Sequence, residues 1–223
     1  MALTNLIDST YFINELFVPN LERAGTSEKL SNLITKYQRK ILIDALGMDL
    51  YLALNTNYNS SVQDKWYELV HGLEYDIDYG EGDYTMKWNG LVNTEKESLL
   101  AYFTFYYLLL NHQTSFFNTG IGNAEANNIK SSTAKYKLVQ AWNEGIELYG
   151  LGHDSSSDIN KWLVFGYKSA GEMYYDRGLN NTEVDPITKP TLYNFIIHKN
   201  TEDSTTYPNF NFTRIERSNI IGI

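Results

Sequence analysis

The stretch LLAYFTFYYLLL, Leu99–Leu110, decides the fold class. Thr94-Glu-Lys-Glu97 just before it reads as a capping box, in which the Thr hydroxyl and the Glu carboxylate satisfy free backbone N–H groups at a helix start. The helix this predicts runs to about Phe117. Leu99, Leu100, Phe103, Phe105, Tyr106, Leu109 and Leu110 leave it no polar side. A helix apolar nearly all round belongs at the centre of a bundle, covered by other helices. The run is too short to span a bilayer, so no membrane partner is expected.

On the N-terminal side, residues 1–25 read as an extended arm, with Phe12, Ile13, Leu16 and Phe17 apolar and Pro19 and Gly25 as punctuation. Ser27 is a candidate cap for a helix starting at Glu28. Leu30, Leu33, Ile34, Tyr37, Ile41 and Ala45 keep its 3.6-residue period, with Lys36, Gln38, Arg39 and Lys40 on the solvent side. Gly47 interrupts it, and Met48–Leu54 reads as a further short helical piece. A third helix covers Val62–Leu73, with Trp66, Leu69 and Val70 inward. Residues 75–88 then change period. Tyr75, Ile77 and Tyr79 alternate with acids, Gly80-Glu-Gly-Asp83 supplies a turn, and Tyr84, Met86 and Trp88 alternate again. That predicts a β-hairpin within 74–90. Such a hairpin is marginal alone, so it must rest on its own domain or on a neighbouring molecule.

On the C-terminal side, Thr119-Gly-Ile-Gly-Asn-Ala-Glu-Ala-Asn-Asn128 reads as the hinge that ends the central helix, with Gly120 free to take positive φ. Ser132 opens a helix bearing Tyr136, Val139, Trp142, Ile146 and Tyr149. Ser155-x-x-Asp158 announces another, with Ile159, Trp162, Phe165 and Tyr174. From Leu179 the text turns polar, with apolar islands at Leu192–Ile197, Phe210–Phe212 and Ile220–Ile223. The expected fold is mainly α: about five to six helices with a hairpin. Its parts are an N-terminal arm (1–25), a helical core (26–178) and an extended C-terminal arm (179–223). Cutting the chain at Leu179 is expected to leave a soluble core.

The chemistry of sites is sparse. A dinucleotide loop needs a strand before Gly-x-Gly-x-x-Gly, whereas Gly120 and Gly122 follow a predicted helix and Glu125 holds the third place. Asp76–Asp83 resembles a calcium loop only superficially, since Gly80, Glu81 and Lys87 occupy its fifth, sixth and twelfth positions. His71, His112, His153 and His198 show no metal-ligand spacing. There is no cysteine and no Gly-x-Ser-x-Gly elbow. No cofactor, metal or catalytic residue is expected, and Asn59, Asn180 and Asn211 read as chance sequons. The N-terminus lacks the basic and apolar regions of a secretory signal. Net charge is −9, and Glu74, Asp76, Asp78, Glu81 and Asp83 carry five negative charges within one short segment. General affinity for DNA phosphates, which needs clustered Lys and Arg, is not expected.

Several of these segments, in order, resemble head–tail connector proteins of tailed phages, especially ring proteins of crAss-like phages. They are Tyr37-Gln-Arg-Lys-Ile-Leu-Ile-Asp-Ala-Leu-Gly-Met-Asp-Leu-Tyr51, Lys87-Trp-Asn-Gly-Leu91, Ser98–Tyr107, Thr119–Gly122 and Ala141-Trp-Asn143. The likeness spans about residues 15–175. It implies a helical adaptor, made in the host cytoplasm and built into the virion as a homo-oligomeric ring, typically a dodecamer, beneath the portal protein. Genome DNA passes through such a ring without specific binding. On that reading the two arms are straps that lie on the next subunit or an adjacent ring. The expected interaction residues are Asp76, Asp78, Glu81, Asp83 and Tyr84 on the hairpin, and Phe195, Phe210, Phe212 and Ile220 in the tail. The alternatives are an assembly scaffold and a monomeric helical protein that binds calcium or a small ligand.

Overall fold

The computed structural model describes residues 3–61, 64–78, 83–117, 120–123, 132–149 and 191–207. Over these the protein is mainly helical, as expected, with five helices and two small antiparallel hairpins. The helices are α1 (Ala24–Asn57), α2 (Tyr67–His71), α3 (Leu99–Gln113), α4 (Ser132–Tyr149) and α5 (Leu192–Glu202). The strands β1 (Leu73–Asp78) and β2 (Asp83–Trp88) form one hairpin, and β3 (Thr114–Phe117) and β4 (Gly120–Asn123) the other.

Central placement of α3 follows from its lack of a polar side. Leu99, Leu100, Ala101, Phe103, Thr104 and Phe105 are all buried, between α4 and α1. Aromatic pairs lock these contacts: Phe103 and Tyr106 meet Trp142 of α4 at ring-centroid distances of 5.3 and 4.6 Å, and Tyr107 stacks on Tyr37 of α1 at 4.2 Å. Such pairs add about 1 kcal/mol each to the area they bury.

The ends of α3 differ from expectation. Its start uses Ser98, whose Oγ accepts from Leu100 N at 3.2 Å and donates to Leu91 O at 2.6 Å. Asn93 makes the reciprocal contact expected of the Thr94–Glu97 box. Its Oδ1 accepts from Glu97 N at 3.0 Å and its Nδ2 donates to Glu97 O. An asparagine offers donor and acceptor on one side chain, so it closes the 93–97 turn by itself. At the other end the helix stops at Gln113, and the supposed hinge holds a strand. β3 is Thr-Ser-Phe-Phe, rich in residues that favour a pleated backbone, and it pairs with β4, Phe117 opposite Gly120.

Helix α1 begins a turn earlier than expected, at Ala24, and its N-cap Arg23 makes no side-chain cap bond. Gly47 breaks it as predicted: at φ 77° and ψ 162° it kinks the helix, a conformation that costs glycine little. The third predicted helix shrinks to α2, because Asp64 folds the chain before it into a turn. Asp64 Oδ1 accepts from Trp66 N at 3.0 Å and Oδ2 from Asn59 N at 2.7 Å. Trp66, Leu69 and Val70 are buried, as their spacing predicted. The helix expected from Ser155 to Gly178 lies outside the described residues.

Residues 3–23 form an arm with two short 3-10 turns, Ser9–Tyr11 and Asn14–Leu16. Much of it lies on its own core, where Ile7, Tyr11, Phe12, Leu16 and Val18 are buried, while Ile13 and Phe17 are exposed. Gln38, expected in solvent, is only 5% exposed and holds this arm. Its Oε1 accepts from Leu6 N at 2.6 Å and its Nε2 donates to Thr4 O at 3.1 Å, as a neighbouring strand would.

Candidate functional site

The predicted interaction surface centres on the β1–β2 hairpin. Its register pairs Leu73 with Trp88, Tyr75 with Met86 and Asp78 with Asp83. Among the described residues each strand pairs only with the other, so both outer edges lack a strand partner. The base of the hairpin is closely packed. Gly72 (φ 98°) and Gly90 (φ 85°) let two chain segments cross so closely that a Cβ on Gly90 would lie 2.6 Å from Val70 O. Val92 N donates to Val70 O at 2.8 Å across the same crossing, and Trp88 Nε1 donates to Leu69 O at 3.0 Å.

One side of the hairpin is covered by the chain's own C-terminal segment, which corrects two expectations. First, the island Leu192–Ile197 belongs to a helix, α5, not to an extended arm. Second, Phe195 is fully buried within its own chain, 5.9 Å from Trp88 and 6.5 Å from Tyr75 between ring centroids, and is not a knob offered to another molecule. The physical reason is the helical spacing of Leu192, Phe195 and Ile196, which gives α5 one apolar side, and the hairpin supplies the aromatic surface to match. Tyr207 extends the contact. It packs on Trp66 at 5.4 Å and donates to Lys65 O at 3.0 Å, and its carbonyl accepts from Asn200.

A charged rim surrounds these rings. Lys199 Nζ lies 2.8 Å from Glu68 Oε2 of α2 and 2.6 Å from Glu202 Oε2. Burial works against its ammonium charge, but the hydrogen bonds it donates to Glu202 and Glu68 outweigh that and hold its pKa raised. The same Lys199 hydrogen bond keeps Glu202 below the usual carboxylate range. Burial pushes the Tyr207 phenol up. Aromatic centre and ionic rim together make the composition of a docking interface.

Of the other expected interaction residues, Asp76 is exposed on β1, Asp78 ends that strand, and Asp83 and Tyr84 open β2. Glu81, Phe210, Phe212 and Ile220 lie outside the described residues. Sequence reasoning passed over Glu68, Lys199 and Tyr207, and weighed His198 only as a metal ligand. The available signal was Lys199, four residues after Phe195, a charge following an apolar pair at helical spacing.

A cavity of about 610 Å³ lies on the hairpin's opposite side, lined by Tyr67, His71, Glu74, Lys87, Glu95 and Lys96 among others. His71 Nε2 lies 2.8 Å from Tyr58 Oη, and burial lowers its pKa. The charges alternate in sign around this hollow, so they define no single ligand polarity. Among the described residues no three His, Asp or Glu side chains converge as a metal site. No described helix is long and apolar enough to cross a membrane. No family model matches the chain, and neither a curated protein nor a solved structure matches it significantly.

Proposed function

We propose that this chain is a structural subunit of a head–tail connector ring in a tailed phage, joining a portal to the tail and letting DNA pass. One observation carries the reading: a hairpin whose two edges have no strand partner among the described residues, fixed at its base to a helical bundle. A closed ring needs head-to-tail contacts between unlike surfaces of identical subunits. An anchored open edge suits that, because an extended segment of a neighbour can add to it as a further strand. Main-chain pairing then supplies the joint without requiring a large apolar patch.

The sequence resemblance supports the same reading. Its segments fall on the frame of the molecule: Tyr37–Tyr51 on kinked α1, Lys87–Leu91 at the foot of the hairpin, Ser98–Tyr107 at the head of α3 and Ala141–Asn143 on α4. The charge balance fits as well. A conduit that carries no lysine and arginine clusters releases no counterions from DNA and so does not hold it. The hairpin's acidic residues would face the lumen or a joint between rings.

Mass measurement of the purified chain, alone and mixed with its portal, tests the proposal. A closed multimer of fixed copy number, alone or on the portal, is the expected result. A monomer that binds no portal under any condition contradicts it.

A further inference from the structure

Helix α5 carries an imidazole in a place where a positive charge is poorly received. The His198 ring lies face to face with Tyr75 of β1, centroids 4.0 Å and planes 15° apart. Its side chain is only 14% exposed, and Nε2 is buried with no hydrogen bond among the described residues. The nearest carboxylate oxygen, Glu202 Oε1, is 3.4 Å away on the same helix, and Glu202 is already engaged by Lys199. Lys199, itself a cation, is the adjacent residue, and Glu68 of α2 is the other carboxylate near the ring.

We propose that α5 is an acid-released clasp: protonation of His198 undocks residues 191–207 and uncovers the aromatic side of the hairpin, Tyr75 and Trp88. Neutral, the ring completes an apolar stack. Charged, it must either lose that stack or bring an ion into it. Glu202 and Glu68 favour the charge, while burial and Lys199 oppose it. Burial dominates, and the docked imidazole sits below its ordinary range.

The direction of the effect follows from linkage. An undocked His198 takes its proton near pH 6.5, its ordinary value, whereas the docked ring takes it only at lower pH. Below about 6.5 the undocked form therefore binds more protons, and docking weakens by up to about tenfold per pH unit until the docked ring also titrates. Above that pH the clasp is at full strength. Lys199 and Glu202 keep their charges through this window. Burial lowers the pKa of His71 of α2 as well, so the test must isolate His198. The clasp goes beyond the ring reading and does not depend on it.

Hydrogen exchange of the full chain, followed by mass spectrometry from pH 8 to 5.5, provides that test. Wild type is compared at each pH with His198→Phe, which keeps a ring on Tyr75 but cannot titrate, so that intrinsic exchange rates cancel in the ratio. Between pH 8 and 7 the protection ratio in residues 192–202 should be constant. Between pH 6.5 and 5.5 the wild type should lose up to about tenfold relative to the variant. A ratio unchanged over the whole range overturns the proposal. His198→Gln provides a second non-titrating reference, and equal loss of protection in wild type and this variant would overturn it as well.

Discussion

Two residues show how much a single side chain or its absence decides here. Gln38 satisfies a backbone donor and a backbone acceptor of the N-terminal arm from within the α1 surface. Replacing it by alanine leaves both groups without their partners, at a cost of about 2 kcal/mol. The midpoint of urea unfolding should fall while its slope stays the same. Gly90 has the opposite lesson. Alanine there needs a positive φ and a Cβ set against the backbone of Val70 and His71, so Gly90→Ala should destabilise by about 3 kcal/mol. Loss of less than about 0.5 kcal/mol in the same titration would show that the crossing is looser than described. Neither role was legible in the sequence. Polarity placed Gln38 in solvent, because a sequence displays an amide but not the chain that will lie across it. Gly90 looked like any loop glycine until Val70 stood beside it.

Elements were read better than their edges. The all-apolar run at Leu99 fixed the central helix, and the change from a period of 3.6 to 2 fixed the first hairpin, since both signals come from burial of one surface repeated over many residues. Boundaries depend on single contacts. Ser98 and Asn93 moved the start of α3, and the pairing of β3 with β4 moved its end. The C-terminal island was misjudged because Leu192–Ile197 is too short to make a core of its own; its partner surface is a hairpin more than a hundred residues earlier. That contact reverses the expectation for truncation. Deleting residues 191–223 should bare Trp66, Tyr75 and Trp88 and yield a chain that aggregates or precipitates, not a soluble core. Phe195→Ala is the milder form of the same experiment and should cost about 3–5 kcal/mol in unfolding free energy. If the truncated chain is as soluble and as stable as the intact one, α5 is an accessory and not part of the core.

At the scale of the whole molecule the proposed connector role rests on the helical frame, the anchored hairpin and the acidic balance. The candidate surface was legible in the sequence as far as the alternation and acidity of residues 74–88. Which hairpin side the chain keeps for itself was not, because that is settled by α5. Reversing the acid residues Asp76, Asp78, Glu81 and Asp83 to lysine should leave the isolated fold intact, since Asp76 is exposed and the hairpin is anchored from its base. Packaging and ejection of DNA should slow, as the new cations hold phosphates. Unchanged rates would remove the acidic tip from any conduit role. The most direct measurement is an image of the portal vertex of the native particle. The expected image is a closed ring beneath the portal into which the bundle of α1, α3 and α4 fits, with each hairpin edge against the next subunit. A vertex without this chain, or a chain seated there with both hairpin edges facing solvent, would contradict it.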